Sequence, residues 1–301
     1  MPYLFTCPHC QTKTQVEDRY SGQSGQCVTC GVAIQLPQFA TGSTQLPESK
    51  KNPTAVGWTI AAVVSVILLG CLLLAIVRVG GQTMNRLATN RERTLSIRNL
   101  ERIADALNAY AADHQMYPPS ATRDANNGKL HSWRVVILPY LGEQELYNNF
   151  DLDLAWDHPE NMTAASQIPS VYQHPNRGGT SAYYESGYYL ITGGGTLFPN
   201  SGPLGPDQIV DDPSQTILVT EGSPLIPSGY WTEPIDLDFA SFQGKLGTNP
   251  GIEPGGLLED GVAFATADGR GHFVPNSIEP LIFRSLVTPG GGERLADDTL
   301  D

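Results

Sequence analysis

The sequence predicts an α+β protein built in series. A small metal-folded ribbon comes first, then one membrane-spanning helix that runs on into an amphipathic helix, then a head in which that second helix packs on an antiparallel β-sheet. Three observations predict it. Four of the five cysteines form two CxxC pairs near the N-terminus, 23 consecutive residues carry no charge, and the second half alternates short β-branched and aromatic runs with Gly and Pro. At 301 residues the length suits about two domains. The 31 glycines and 23 prolines favour a loop-rich sheet over a helical bundle.

The first element is Cys7-Pro8-His9-Cys10, repeated after sixteen residues as Cys27-Val28-Thr29-Cys30-Gly31. Two knuckles at this separation have zinc-ribbon spacing, with four thiolates set tetrahedrally around one Zn²⁺. A ribbon of residues 1–36 is too short to bury a core, so the metal supplies its folding energy. A redox pair is the other reading of CxxC, but no βαβ pattern surrounds these cysteines. With Cys7, Cys10, Cys27 and Cys30 all bound, the metal keeps no open position, so the site is structural or a protein-docking element. Lys13 and Arg19 balance Glu17 and Asp18, which argues against nucleic acid. Residues 37–54, with Pro37, Pro47 and Pro53, read as a flexible linker.

The second element is "AVGWTIAAVVSVILLGCLLLAIV", residues 55–77, bounded by Lys50-Lys51 and Arg78. Its length suits one span of a bilayer with modest tilt. It lies too far from the N-terminus for a cleaved signal and ends without a small-residue cleavage site. The alternative is a buried core helix, and Cys71 within it reads as a small apolar filler. Orientation draws two arguments. Arg78, Arg86, Arg91 and Arg93 after the span outnumber the two lysines before it and favour a cytoplasmic C-terminus. Zinc thiolates need a reducing compartment and favour a cytoplasmic N-terminus. The thiols carry more weight, because the charge difference is small.

The third element, residues 78–292, opens with a helix in which Leu100, Ile103, Ala104, Leu107, Tyr110 and Ala111 form one apolar stripe. Pro118-Pro119 stops it, and Gly80-Gly81 marks a kink between it and the span. A helical passage over 132–149, a turn at Trp156/Pro159 and a further helical turn near 160–167 follow. Strands are expected in "SVYQHP", "SAYYESGYYLITGGG", "QTILVTEG" and "GVAFATADGRGHFVP". Residues 293–301 read as a frayed acidic tail. Residues 95–301 carry 10 basic against 27 acidic side chains, a net of −17, which repels nucleic acid and anionic surfaces.

Taken in order, a helix ending in Tyr-Pro-Pro, "SWRVVILPYLGEQELYNNFDLDLAWDHPEN", "PSVYQHP", "GYYLITGGGTLFP", "SQTILVTE", "WTEPIDLDF" and "GVAFATADGRGHFVP" resemble the bacterial domain-of-unknown-function 1559 family. Its C-terminal part is the prepilin-type processing-associated domain. The resemblance covers roughly residues 90–290 and implies a pilin- or pseudopilin-like head on a membrane helix; the family has also been described as solute-binding-like. Three departures are visible. The Phe-Thr-Leu-x-Glu run that precedes the membrane helix in many members is replaced by "KNPTAVGWTIAA", which removes the basis for peptidase cleavage and pilus assembly. The His expected ten residues before Asp268-Gly269 is Leu258. Ser96 and His174 stand where many members carry cysteines, as if a disulfide had been dispensed with.

No HExxH, GxSxG or phosphate-binding loop involves the six histidines or the serines. "TGGGT" (192–196) reads as an anion cradle or, more simply, a glycine turn. Asp151/Asp153/Asp157 and Glu233/Asp236/Asp238 offer oxygen ligands to Ca²⁺ or are solvated carboxylates. Trp133, Trp156, Trp231, Tyr183, Tyr184, Tyr188 and Tyr189 form either a sugar platform or sheet core. Trp133, Val136, Ile137, Tyr140 and Leu141 have helical spacing and are expected to pack the head on its helix; Asp268-Gly269 is expected in a hairpin turn. The expectation is a non-enzymatic single-pass protein of a bacterial cytoplasmic membrane. Its ribbon is inside, its head outside, and its partners are the membrane and other proteins rather than nucleic acid. The alternative is a tethered solute- or glycan-binding module. A hydrolase has the least support, for want of a nucleophile–base pair.

Overall fold

A computed structural model describes residues 2–39, 53–126, 128–176, 184–223, 229–243, 245–249, 251–292 and 300, without the side chains of 53–62, 77, 79–85 and 129. The linker residues 40–52, Tyr183 and the tail residues 293–299 and 301 therefore lie outside the described residues. The chain divides into two compact units, Met1–Leu73 and Leu74–Asp301.

The first unit opens with two short antiparallel hairpins. Strand β1 (Tyr3–Thr6) pairs with β2 (Lys13–Val16), and β3 (Ser24–Gln26) with β4 (Ala33–Gln35). Only Cys7 and Cys27 are buried there; Phe5, Val16, Ile34 and Leu36 are half-exposed. Helix α1 (Pro53–His114) follows and runs without a break in its helical assignment through Gly80-Gly81, where the sequence suggests a kink.

The predicted span, residues 55–77, lies within α1. Among the described residues, no helix is long and apolar enough to cross a membrane. The part of the stretch whose side chains are described, residues 63–76, is shorter than the ~20 residues a span needs.

In the second unit α1 lays Leu100, Ile103, Ala104, Leu107 and Ala111 into the core as expected, while Tyr110 stays half-exposed against Tyr140. The helix ends at His114, and Gln115 turns the chain with φ 63° ahead of the two prolines. A hairpin the sequence pattern did not suggest follows: β5 (Ala121–Arg123) with β6 (Lys129–Ser132). Then come α2 (Trp133–Val136), a 3₁₀ turn over Leu138–Leu141, α3 (Gln144–Tyr147) and α4 (Pro159–Ala165). The segment "SVYQHP" is corrected: Ser170–Tyr172 is a 3₁₀ turn, held by the buried Val171 and Tyr172 rather than by a strand partner.

Seven named elements complete the head: β7 (Tyr188–Tyr189), β8 (Ile191–Thr192), β9 (Ile217–Glu221), β10 (Leu237–Asp238), β11 (Gly261–Thr266), β12 (Gly271–Pro275) and α5 (Pro280–Ser285). The main sheet is antiparallel in the order β12-β11-β9-β7, with β8 and β10 paired in parallel beside it. Alternation along β11 divides the core. Ala263 and Ala265 join the cluster containing the α1 stripe, and Val262 and Phe264 join a second cluster with Phe242, Phe283 and Leu286. Small residues on the helix side permit close approach: a Cβ on Gly271 would lie 2.5 Å from Ile97 Cγ2.

Candidate functional site

The four ribbon cysteines converge. Each knuckle repeats the same hydrogen bonds: Cys7 N donates to Thr12 O at 3.0 Å and Gln11 N to Cys7 O at 2.9 Å. In the second knuckle Cys27 N donates to Val32 O at 2.9 Å and Gly31 N to Cys27 O at 2.8 Å. Gln11 and Gly31 take the left-handed conformation these turns require, with φ 62° and 71°. The result is a set of sulfurs all within 4.8 Å of one another, with Cys7–Cys30 at 3.9 Å and Cys10–Cys27 at 3.7 Å. A tetrahedral ion with bonds of about 2.3 Å separates its thiolates by about 3.8 Å, whereas a disulfide needs about 2.05 Å. The spacing fits a metal.

Proton energetics point the same way. The Thr12 hydroxyl and amide pull Cys10 down to about 6, and the amides of Cys30 and Thr29 lower Cys27. Cys30 goes the other way: the Val32 amide lowers it, but desolvation and the thiols of Cys10, Cys27 and Cys7 outweigh this and push it up to about 12. Four thiolates at this range cannot all ionise unaided. A divalent cation resolves the conflict.

The head's acidic clusters do not assemble into a second site; among the described residues the cysteines are the only such group. The loop after Phe150 is folded around the buried Asn161, whose Nδ2 donates to Asp151 O and Ala155 O at 3.0 Å while Oδ1 accepts from Asp151 N at 2.8 Å. These bonds hold the Asp151–Ala155 loop in place. In the other cluster the Asp236 side chain is buried, and Asp238 accepts from Ala240 N and Ser241 Oγ.

Asp236 leads to what the sequence pattern concealed. Arg134, in the middle of "SWRVV", is fully buried. Its Nη2 donates to Asp236 Oδ1 at 3.1 Å and to Tyr188 O at 2.7 Å, its Nε to Tyr188 O at 3.1 Å, and its Nη1 to Ser132 Oγ at 3.0 Å. Trp133 Nε1 and Leu190 N, each at 3.0 Å, also donate to that Asp236 oxygen. Burial raises the Asp236 carboxyl, against the lowering pull of Arg134. This group ties β6, α2, β7 and β10 together. The predicted packing face is corrected in detail: Trp133, Val135, Ile137 and Leu138 are buried, whereas Val136, Tyr140 and Leu141 are half-exposed. One α turn running into a 3₁₀ turn abandons the 3.6-residue period.

A second buried network centres on Glu221. Its Oε2 accepts from Ser96 Oγ at 2.8 Å and His174 Nε2 at 3.0 Å, and its Oε1 accepts from Ala263 N at 2.9 Å. Asn176 N donates to His174 Nδ1 at 3.1 Å. That bond leaves Nε2 as the ring nitrogen that donates to Glu221. Ser96 and His174, the two positions singled out for absent cysteines, thus meet on one oxygen atom. A carboxylate bridges them.

The remaining candidates take packing roles. Trp133, Trp231, Tyr188 and Tyr189 are core; Trp156 and Tyr184 are half-exposed, Tyr184 stacking on Tyr230 at 5.2 Å. The glycines of 192–196 form a turn closed by Thr196 Oγ1 donating to Gly193 O at 2.9 Å. Asp268-Gly269 is the β11–β12 hairpin turn, Gly269 having φ 88° and Asp268 Oδ1 accepting from Thr266 Oγ1 and Arg270 N. Leu258 is buried. Leu300 packs against the second cluster, so this part of the tail is not frayed.

Comparison with curated proteins and with solved structures finds no match. The family described as protein of unknown function (DUF1559) matches residues 89–243, just over half of the 301 residues. That match takes in the α1 stripe, Arg134, the loop around Asn161 and Glu221, and on its extent the chain belongs to the DUF1559 family.

Proposed function

We propose that the chain is a non-enzymatic, single-pass protein of a bacterial cytoplasmic membrane. It holds a zinc ribbon in the cytoplasm and displays a pseudopilin-like head outside for structural or protein-interaction purposes. One observation carries the reading. Within the uncharged stretch of residues 55–77, Val66, Ile67, Leu68, Leu69, Leu72, Leu73, Leu74 and Ile76 are each more than half exposed on α1, Val66 by 70%. A contiguous apolar surface of this kind needs cover, and lipid supplies it over a length that suits the bilayer. Zinc is the ion the reading assigns to the cysteines, because four thiolates in a closed tetrahedral set suit it best.

The test is topology. Reporters fused before residue 1 and after residue 301 are expected to show a protected N-terminus and an accessible C-terminus in spheroplasts. The reverse result would uphold the arginine distribution and sink the surface-display reading.

A second reading, a tethered module for a small polar solute, has one observation in its favour. A cleft of about 500 Å³ on the head is lined by Ser120, Thr122, Arg123, Asn200 and Ser201 between Pro119 and Pro199. A saturable thermal shift of the full chain with an oligosaccharide panel would favour it.

A further inference from the structure

Among the described side chains of α1 between the apolar stretch and the head, Arg78, Arg86, Leu87, Ala88, Asn90 and Arg91 are all exposed. The helix ties into the head at Arg93, which pairs with Asp260 and lies 3.7 Å over the Phe273 ring. From residue 78 to residue 93 the helix rises about 22 Å. A helix of that length whose described side chains are mostly exposed needs a reason.

Charge supplies one. The chain carries 31 acidic residues, yet none lies between Glu48 and Glu92, and the cations in that interval are Lys50, Lys51, Arg78, Arg86 and Arg91. At about 100° per residue, Arg86 lies about 80° and Arg91 about 220° around the helix from Arg78. The arginines therefore make a collar, not a stripe. A second copy of the chain, or any one-sided protein partner, would want a stripe. A layer that surrounds the rod suits a collar.

We propose that this stalk is an anionic-lipid collar: Arg78 and Arg86 engage the phosphates of acidic headgroups on adjoining sides of the helix, and Arg91, on the far side, adds to the field. The proposal rests on the membrane reading given above. The headgroup region extends about 5–8 Å beyond the hydrocarbon on each side. Arg78 sits at its inner edge, and Arg86, about 13 Å from the end of the apolar run, returns to it through its long side chain. The head, net −17 over residues 95–301, would be repelled by the same headgroups. A stalk of about 22 Å, less the roughly 5–8 Å of headgroup layer, keeps it about 14–17 Å from them, close to two Debye lengths at physiological salt, so most of the collar's attraction survives.

The experiment reconstitutes the full chain in phosphatidylcholine vesicles doped with spin-labelled phosphatidylglycerol or spin-labelled phosphatidylcholine. Electron spin resonance then reads the selectivity of the lipids bound around the protein. Selectivity for the anionic lipid is expected and should fall on the order of fivefold per arginine removed in Arg78→Gln and Arg86→Gln, with high salt having the same effect. If the chain incorporates, resists alkaline extraction and shows unchanged selectivity in the double variant, the collar is overturned and the span stands. If alkaline carbonate strips the wild-type chain from the vesicles, the membrane reading itself fails and the collar with it. Should the double variant instead lose a crosslinked dimer at unchanged lipid selectivity, the partner is a second copy and the collar is wrong.

Discussion

The ribbon and the head place their buried polar chemistry differently. In residues 2–39 the buried side chains are Cys7 and Cys27, both ligand candidates, and the apolar residues around them stay half-exposed. The head buries two hydrophobic clusters and then embeds Arg134, Asp236, Glu221, Ser96, His174 and Asn161 within or beside them. A fold that small must borrow its stability from a ligand. A fold with a large core can afford internal charges and use them to fix which elements meet.

The sharpest way to break this contrast is chelation. Removing the metal from the full chain is expected to abolish ribbon structure completely, read as collapse of its amide NMR dispersion. The head's thermal transition should persist, because residues 95–301 contain no cysteine. A head that melts with the ribbon would show that the two are not separately stabilised.

The next effect falls within the head. Arg134→Met leaves Asp236 buried without its cation and should cost about 3–5 kcal/mol in urea unfolding. Arg134→Lys is expected to recover only part of this, since an ammonium cannot reach Asp236, Tyr188 O and Ser132 Oγ together. A fully neutral Arg134→Met would mean that the guanidinium network adds nothing to the core.

The smallest expected effect is one of pH. Burial lowers His131 from 6.5, and its Nδ1 has no hydrogen-bond partner among the described residues. The unfolded chain therefore takes up this proton first as pH falls. The stability His131 contributes is complete above about 6.5 and declines below it, down through the folded-state value. His131→Phe should flatten the stability profile over that interval; an unchanged slope would locate the titration elsewhere.

Legibility followed the kind of constraint. The cysteine ligands could be read from spacing alone, because a tetrahedral site imposes fixed offsets on a short chain. The α1 stripe and the strands β9, β11 and β12 could be read from period, because one face or alternate residues had to be apolar. Arg134 could not: one arginine in an apolar run looks like a solvent-facing position until its acceptors, spread from Ser132 to Asp236, are brought together by the fold. Asp236 misled for the complementary reason, sitting among surface carboxylates in the sequence and beneath them in space. Asn161 carries no sequence signature at all, although a cation-like role falls to its amide. Whether the charge-free stretch of α1 lies in a bilayer is written in composition, and the reporters described above will decide it.

The Glu221 bridge has a consequence for how the protein is made. A clasp of carboxylate, hydroxyl and imidazole closes as soon as α1, β9 and the His174 segment collapse together, with no oxidant, no shuffling and no isomerase. Maturation of the head is thereby indifferent to the redox state of the compartment in which it emerges. The ribbon has no such freedom, since its sulfurs could hold a metal only while they stay reduced. In one polypeptide, redox sensitivity is confined to the segment that carries the thiols.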